Sequence, residues 1–500
     1  MGVFDSLVLG FGVALTVNNL FYCFIGVLIG TLIGVLPGLG PVATISLLLP
    51  ATFGMDPVSS IIMLAGVYYG AQYGGSTTSI LVNIPGEASS IITCLDGYRM
   101  ARQGRAGAAL GMSAFGSFIG GTASIIGLML IAPMLARLAL KFGPPEYFCL
   151  MLFGLTMVTY LCVGPISKGL IMTVAGLAVS VIGQDPVSGI TRFTFGSITL
   201  MDGVGIVPVA MGLFGIGEVL TNIEENIKQE VFSSKIKGLY PSLKDWAACK
   251  WPILRGSLLG FFMGILPGAG TVIPTFMSYS MEKRLSRHPE KFGTGMIEGV
   301  AGPETANNAA VGGAMVTLLS LGIPPNVGMA ILLGAFIIHG IQPGPLLLTK
   351  HPAIFWGTIA SMYIGNVMLL ILNLPLIGLW VKILKIPYNI LFPLIIMFCF
   401  LGAYSLNNNI YDIVIMISFG FFGYLIRKFS YEAAPFTLAL VLGPMLENAF
   451  RQSLLYGDPW IFFKRPISAV LLLISVVLLV TSFFPMIFQK RVELTENLKE

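Results

Sequence analysis

Apolar runs of about twenty residues recur along the chain, and they constrain its fold more than any other feature of the sequence. Ala469–Phe488 and Ile354–Leu374 are two examples. A run of this length, coiled as an α-helix, crosses a hydrocarbon layer of about 30 Å. The alternation of apolar and polar residues typical of membrane β-barrels is absent from the sequence. We therefore predict an all-α polytopic membrane protein with about twelve spans.

The composition excludes several other classes of protein. Of the 500 residues, 55% are hydrophobic and 10% are charged, whereas a soluble domain has about 25% charged residues. The net charge of +5 is small and scattered, which fits loops beside an anionic lipid surface better than a nucleic-acid interface. We therefore expect the lipid bilayer, and no nucleic acid, among the partners.

An internal repeat connects two distant parts of the chain. Gly26–Val42 reads GVLIGTLIGVLPGLGPV and Gly256–Val272 reads GSLLGFFMGILPGAGTV, with nine identical positions. In each copy a glycine recurs at every fourth position, at Gly26, Gly30 and Gly34 and at Gly256, Gly260 and Gly264. Such a stripe lets a neighbouring helix approach to backbone contact.

Each glycine stripe ends at a four-residue segment of the form Pro-Gly-x-Gly, which we call a break. The two breaks are Pro37-Gly38-Leu39-Gly40 and Pro267-Gly268-Ala269-Gly270. A break inside an apolar segment frees backbone groups, which attract anions at helix N-termini and cations at carbonyls. We therefore predict broken helices or re-entrant hairpins, and the alternative is that the glycines only permit close packing. The residues predicted to bind substrate at the breaks are Pro37, Gly38, Gly40, Pro267, Gly268 and Gly270.

A looser pair of motifs follows the breaks. Gly74-Gly75 precedes Ile84-Pro85-Gly86, and Gly312-Gly313 precedes Ile323-Pro324-Pro325, with spacings that differ by one residue. Together the two pairs of motifs predict a duplicated chain. Its predicted parts are an N-terminal interfacial segment (1–17), a first transmembrane repeat (18–230), a polar linker or interfacial helix (231–250), a second repeat (251–460), and a terminal helix and tail (461–500).

The basic residues predict that the two repeats have opposite orientations. In the first repeat they follow the Ile-Pro motif, as Arg99, Arg102 and Arg105, whereas Pro50–Ser60 has none. In the second repeat they follow the break instead, at Lys283, Arg284, Arg287 and Lys291. Since basic loops face the cytoplasm, corresponding loops should lie on opposite sides. Inverted repeats with paired broken helices are typical of secondary transporters.

Polar side chains in the motif that begins at Gly74 are candidates for binding. The hydroxyls of Ser76 and Thr77, with the backbone amides of Gly74 and Gly75, suit a substrate carboxylate, and Thr78 suits Na⁺. The alternative is that these hydroxyls bond to their own helix.

The second repeat contains GPETANN at Gly302–Asn308. Pro303 suits the first turn of a helix, so Glu304 either stabilises that helix end or, as an intramembrane carboxylate, binds Na⁺ or H⁺. Asn307 and Asn308 offer amide oxygens to a cation, and Asn307 can also donate to a substrate carboxylate; interhelical hydrogen bonding is the alternative. We expect these residues, Ser76–Thr78 and both breaks to converge on one polar cavity.

Motifs for catalysis are absent from the sequence. It contains no HExxH, no GxSxG and no nucleotide-binding GxxxxGK[ST], and it has only three histidines. We therefore expect that the chain is not an enzyme, and that it needs no cofactor apart from Na⁺ as a coupling ion.

Four longer motifs resemble a known family. They are GVLPGLGP (Gly34–Pro41), YGGSTTSILVNIPG (Tyr73–Gly86), GPETANNAAVGGAMVTLLSLGIPP (Gly302–Pro325) and HGIQPGP (His339–Pro345). They resemble the large membrane subunit, of TctA type, of bacterial tripartite tricarboxylate transporters. The resemblance covers nearly the whole chain, and Pro325 departs from it, since glycine is common there.

The resemblance implies a permease of the bacterial inner membrane with two partners, a small membrane subunit and a periplasmic solute-binding protein. It also implies import of tricarboxylates such as citrate, or of related carboxylates, by symport with Na⁺ or H⁺. The alternative function is a passive channel or a non-transport scaffold in a membrane complex.

Overall fold

The computed structural model describes residues 2–36, 40–162, 165–185, 187–225, 238–384, 388–456 and 458–482. Pro37 and Gly38 of the first predicted break lie outside the described residues, as do most of the predicted linker's first half and residues 483–500 of the predicted tail. Within the described residues the regular structure is helical apart from two two-residue antiparallel strands, β1 (Gly183–Gln184) and β2 (Thr191–Arg192). The predicted all-α class is confirmed.

The helices follow one another along the chain on either side of residues 226–237. Those before residue 226 are α1 (Val3–Ala14), α2 (Val17–Val35), α3 (Pro41–Leu48), α4 (Pro57–Val82), α5 (Ile91–Thr93), α6 (Ala106–Ala139), α7 (Pro144–Leu161), α8 (Ile166–Ser180), α9 (Ile206–Ala210) and α10 (Gly217–Glu225). Those after residue 237 are α11 (Leu243–Ile265), α12 (Val272–Leu285), α13 (Glu298–Leu321), α14 (Val327–Ile338), α15 (Leu347–Lys350), α16 (Pro352–Asn373), α17 (Ile377–Ile383), α18 (Tyr388–Asn407), α19 (Ile410–Lys428), α20 (Ala433–Leu454), α21 (Ile461–Lys464) and α22 (Pro466–Ser482).

Short segments of other helical types connect these elements. The 3₁₀ segments are Pro50–Thr52, Ala88–Ser90, Thr199–Asp202 and Pro289–Lys291, and the π-helical segments are Cys94–Tyr98, Ala101–Arg105 and Met211–Ile216. Residues 243–250, which the sequence assigns to the linker, form the first turns of α11.

Seven helices of the described part are long and apolar enough to cross a membrane, which confirms a multi-pass membrane protein. They are Val17–Val35, Ala101–Ala139, Ile206–Glu224, Pro352–Asn373, Ile390–Asn407, Ile410–Lys428 and Ala433–Leu454. Four shorter apolar helices accompany them, α1, α8, α14 and α22. The total of about twelve spans stays a prediction.

The two glycine stripes form two matching helix pairs. In the first pair α2 lies on α4, and a Cβ atom added to its glycines would come within 2.2–2.5 Å of backbone oxygens of α4. In the second pair α11 lies on α13 with the same range of distances. The contacts are Gly26 to Met63, Gly30 to Val67, Gly34 to Ala71, Gly256 to Gly302, Gly260 to Ala306 and Gly264 to Ala310. Both pairs are therefore parallel and touch through their backbones.

The packing corrects the sequence alignment of the looser motifs. A Cβ atom on Gly74 would lie 2.4 Å from the backbone oxygen of Thr31, and one on Gly313 would lie 2.2 Å from that of Phe261. Gly74 therefore corresponds to Gly313, and the pairing of Gly75 with Gly313 is wrong. Each of these glycines lies eleven residues before the proline of its Ile-Pro motif, so the difference in spacing disappears and α4 and α13 correspond at a constant offset of 239 residues.

The two pairs run in opposite directions. Where α4 contacts α13, the Ser76 hydroxyl reaches Glu304. Tyr69, seven residues before Ser76, lines one cavity together with Gly312, eight residues after Glu304. Advancing along α13 therefore means going back along α4, which is the inverted arrangement that the basic residues predict.

The basic segments of both repeats meet at one end of the molecule. The Gln103 side chain donates a 2.7 Å hydrogen bond to the backbone oxygen of Thr294. Nearby, the buried Asp96 carboxylate accepts hydrogen bonds of 2.7–2.9 Å from the backbone amides of Gly293, Gly295 and Met296. These amides directly precede α13, so a residue of the first repeat caps a helix of the second.

The second break forms a hairpin. Arg255, ten residues before the end of α11, pairs with Glu282, ten residues after the start of α12, at 2.8 and 2.5 Å. At the turn Gly268 has φ +87°, and its N–H donates to the backbone oxygen of Pro325 at 2.8 Å. Left-handed backbone of this kind favours glycine. The chain therefore turns back after α11, as the re-entrant prediction requires.

Candidate functional site

Glu304 lies inside α13, not at its end. The helix begins at Glu298, so Pro303 occupies its sixth position and the prediction that Pro303 starts the helix is wrong. Because Asp96 caps the segment before α13 from another part of the chain, the helix can begin earlier than its own sequence indicates. Glu304 is 1% exposed, and the interpretation of it as a helix-end residue therefore fails.

Two hydroxyl groups contact the Glu304 carboxylate. Ser76 of α4 donates to one oxygen and Thr93 of α5 donates to the other. Among the described residues, Glu304 forms no ion pair. The contact brings together two residues that the sequence singles out in different repeats, Ser76 and Glu304.

A second buried carboxylate, Glu87, lies in the same region. It directly follows Ile84-Pro85-Gly86 and is 8% exposed. Gly86 permits this position, since a Cβ atom there would lie 2.2 Å from the backbone oxygen of Gly34. Gly75 leaves room for the side chain, because a Cβ atom there would lie 2.6 Å from Cγ of Glu87. Gly75 therefore makes room for the Glu87 side chain.

Glu87 is surrounded by amides and hydroxyls. The Asn307 Nδ2 donates to its Oε1 at 3.0 Å. The Ser89 hydroxyl contacts the same oxygen and also lies 3.0 Å from Oε1 of Gln72. Asn307 is 1% exposed, and its Oδ1 is buried without a hydrogen-bond partner among the described residues. Asn307 therefore links the cluster of Glu304 to that of Glu87.

Asn308 faces a different neighbour. Its Nδ2 donates to Ser117 at 2.7 Å and to the backbone oxygen of Glu304 at 3.2 Å. It also lines a cavity of about 20 Å³ together with Tyr69, Tyr73 and Asn366, which is room for about one water molecule. Its predicted role as a Na⁺ ligand stays a prediction.

The remaining candidates of α4 have structural partners. The Thr78 hydroxyl donates to the backbone oxygen of Val35, at the end of α2, at 2.5 Å. Its equivalent Thr317 donates to Ile265, at the end of α11, at 2.9 Å. Both hydroxyls thus satisfy a carbonyl next to a break. Thr77 is buried between Ser76 and Thr78.

Gly74 and Gly75 lie within the uninterrupted helix α4. Their N–H groups are therefore in a position to bond inside the helix. Gly74 packs α4 against α2, and the role of Gly74 and Gly75 in substrate binding stays a prediction.

The second break lies apart from the carboxylates. Pro267 and Gly268 contact Gly154 and Val158 of α7. Thr317, beside this break, is thirteen residues beyond Glu304 on α13, a distance of about 20 Å along a helix. The described residues therefore do not form the expected single cavity that joins Glu304 to Gly268 and Gly270. The space around Gly40 and Gly270 is open, since nothing lies within 4 Å of a Cβ atom placed on either glycine.

The donor atoms of the cluster indicate what it can bind. They are oxygens of carboxylates, amides and hydroxyls, the ligands of hard cations. Across the described residues there is no group of three or more His, Cys, Asp or Glu side chains suited to a metal ion. The chemistry therefore favours an alkali cation or a proton over a transition metal.

Comparisons with known proteins identify the family of this chain. Residues 20–438 match the family described as "Tripartite tricarboxylate transporter TctA family". The chain belongs to this TctA family. It is a membrane component of tripartite tricarboxylate transporters, a family of transporter components and not of enzymes, and the Ser76, Glu87, Glu304 and Asn307 cluster lies within the matched region.

Two relatives of this TctA protein come from Agrobacterium vitis. One, the "Uncharacterized 52.8 kDa protein in TAR-I ttuC' 3'region", is 50% identical over 493 residues, which is 98% of either chain. The other, the "Uncharacterized protein in TAR-II ttuC' 3'region", is 51% identical over 234 residues, 46% of this chain and 97% of the relative. No solved structure matches the chain.

Proposed function

We propose that the chain is the permease subunit of a cation-coupled secondary transporter in the bacterial inner membrane. It imports tricarboxylates such as citrate, or related carboxylates, that a periplasmic solute-binding protein delivers, and it works together with a small membrane subunit. Membership of a tripartite transporter family supports the two partners and the substrate class.

The buried carboxylates between oppositely oriented helices are the main support for cation coupling. Glu304 accepts from Ser76 of the other repeat, and Glu87 accepts from Asn307 of the other repeat. A buried carboxylate without a basic partner is costly unless a proton or a cation compensates its charge. Binding at the boundary of inverted repeats couples ion occupancy to movement of one repeat against the other.

The same cluster can serve an anionic substrate once a cation is bound. The Thr77 hydroxyl and the second N–H of Asn307 are donors that suit a carboxylate, and the Ser76 hydroxyl would join them where a proton on Glu304 makes it free to turn. The described cluster contributes no basic side chain, so we propose that the coupling Na⁺ or H⁺ offsets part of the substrate's charge. Substrate and cation would then bind cooperatively.

Uptake by proteoliposomes tests this function. The purified chain is reconstituted with its small membrane subunit, supplied with the binding protein, and given labelled citrate and other carboxylates under an inward Na⁺ or H⁺ gradient. We expect accumulation above the external concentration, abolished when an ionophore dissipates the gradient. Equilibration without accumulation would identify a channel, and no flux in any combination of subunits would identify a scaffold.

Cysteine labelling tests the orientation in the membrane. In a background whose native cysteines do not react, probes at positions 102 and 287 should both label from the cytoplasm, and probes at positions 55 and 342 from the periplasm. The basic segments that meet at one end of the molecule support this expectation. Labelling of positions 55 and 287 from the same side would contradict it.

A further inference from the structure

The contacts around Glu87 leave one buried acceptor, Asn307 Oδ1, without a donor among the described residues. The single hydroxyl hydrogen of Ser89 faces both Glu87 and Oε1 of Gln72, and it can satisfy only one of them. The amide of Asn307 must direct its NH₂ group at the carboxylate, because a carboxylate oxygen only accepts. Its Oδ1 is therefore left buried and unpartnered. A bound cation would use these lone pairs and would offset the charge of the buried carboxylate.

Glu304 shows the opposite balance. Each of its two oxygens accepts from a different hydroxyl, those of Ser76 and Thr93. Its hydrogen-bonding needs are therefore met by the protein alone. The unpartnered acceptor therefore lies beside Glu87 and not beside Glu304.

The geometry points to a Na⁺ site formed by Glu87, Asn307 Oδ1, Gln72 Oε1 and Ser89 Oγ. One carboxylate with three neutral oxygens balances a monovalent ion, whereas a divalent ion would leave a buried charge. A proton on Glu87 could be donated to only one neighbouring oxygen, either Asn307 Oδ1 or Gln72 Oε1, and the other would gain no donor from it. The inference rests on the proposed function, because it assigns the coupling ion of the same permease to named ligands.

The second repeat explains why the site exists only once. Asn326 lies 239 residues after Glu87, and the two backbones match, with φ −145° and ψ 165° at Glu87 and φ −151° and ψ 172° at Asn326. Each residue precedes a helical segment. In place of a carboxylate, Asn326 presents an amide whose Oδ1 accepts from the backbone N–H of Met329 at 3.0 Å. The backbone at this position therefore accepts an amide, and Glu87→Gln should fold.

Binding of Na⁺ to the purified chain, without substrate or partners, tests the site independently of transport. Thermal unfolding is compared in NaCl, KCl and choline chloride at equal ionic strength, and binding of radioactive Na⁺ is measured directly. We expect Na⁺ to stabilise the wild type more than the other two cations do. Glu87→Gln should abolish this difference, and Asn307→Ala should weaken Na⁺ binding by about ten- to a hundredfold. Glu290→Gln, which removes one carboxylate charge at an exposed position away from the cluster, is the control and should retain Na⁺ binding.

Each contrary outcome is distinguishable. Equal stabilisation by all three salts would overturn the site, and so would undiminished Na⁺ binding by folded Glu87→Gln. Stabilisation of the wild type by low pH without any effect of Na⁺ would overturn it too. If Glu87→Gln does not give monodisperse protein, Ser89→Ala and Asn307→Ala replace it. Na⁺ binding without gradient-driven uptake would refute the proposed function and leave the Na⁺ site standing. Na⁺-driven uptake by Glu87→Gln equal to that of wild type would refute the Na⁺ site and leave the proposed function standing.

Discussion

The helix pairs α2–α4 and α11–α13 share one packing arrangement but differ in their polar residues. Their glycines meet equivalent backbone oxygens over the same range of distances, 2.2–2.5 Å, and Thr78 and Thr317 satisfy equivalent carbonyls. In contrast, the position equivalent to Glu304 is Ala65, and the one equivalent to Glu87 is Asn326. The comparison teaches that the scaffold is duplicated, whereas the acids that form the site occur in one copy each.

The largest effect should come from filling the helix contacts. Gly30→Leu and Gly260→Leu should each prevent folding, because their Cβ atoms would lie 2.5 and 2.2 Å from backbone oxygens that cannot move aside. Overpacking of a core costs about 1–3 kcal/mol even where side chains can adjust. Size-exclusion chromatography after membrane extraction measures the loss of monodisperse protein. Gly12→Leu is the control, since nothing lies within 4 Å of its Cβ, and collapse of only one of the two pairs would contradict their equivalence.

A smaller but specific effect is expected at Glu304. Glu304→Gln should lower the initial rate of uptake by about a hundredfold, because the hydroxyls of Ser76 and Thr93 lose the charged acceptor that orients them. Proteoliposome uptake measures the rate, and thermal unfolding verifies the fold. Glu290→Gln, at an exposed position with 65% of its side chain accessible, should transport like wild type. Normal uptake by Glu304→Gln would mean that only the Glu87 cluster is functional.

Asn308 should contribute less than either acid. Asn308→Ala removes the donor to Ser117 and to the backbone of Glu304, and we expect it to lower the initial rate of uptake by about tenfold while the Na⁺ concentration for half-maximal uptake stays unchanged. Uptake is titrated with Na⁺ at constant ionic strength. An unchanged Na⁺ requirement together with a normal rate would show that Asn308 only joins helices.

The smallest effects concern the hydroxyls beside the breaks. Thr78→Val and Thr317→Val should each lower the free energy of unfolding by about 1–3 kcal/mol, since each leaves a buried carbonyl without its donor. Thr437→Val is the control, because that hydroxyl bonds only to a carbonyl of its own helix. Thermal unfolding measures all three, and markedly unequal losses for Thr78 and Thr317 would weaken the comparison of the two pairs.

Much of the scaffold could be predicted from the sequence because its determinants are local and periodic. Apolar length indicates helical spans, glycine at every fourth position indicates backbone contact, and the swapped basic segments indicate opposite orientations. The convergence of Ser76 with Glu304 also follows, since paired polar motifs of inverted repeats are expected to meet.

The rest depends on contacts between distant residues. The start of α13 is set by Asp96, about two hundred residues earlier, and no local capping motif reveals it. Glu87 resembles a loop acid in the sequence, and only the approach of Gly86 to Gly34 buries it. The sequence signal that could have found it is an acid directly after Ile-Pro-Gly, between two apolar stretches. The distance between the second break and Glu304 likewise depends on packing. Thr317, which contacts the end of α11 beside the break, lies thirteen residues beyond Glu304 on α13.

The constant offset between α4 and α13 has a consequence for the origin of the chain. Two halves that share one packing solution while pointing in opposite directions descend most simply from a half-length ancestor that inserted in both orientations and paired with itself. In such a dimer the positions of Glu87 and Asn326 were occupied by one and the same residue. Fusion of two such copies would let each position change alone, so that one copy could carry the carboxylate of Glu87 and the other the amide of Asn326.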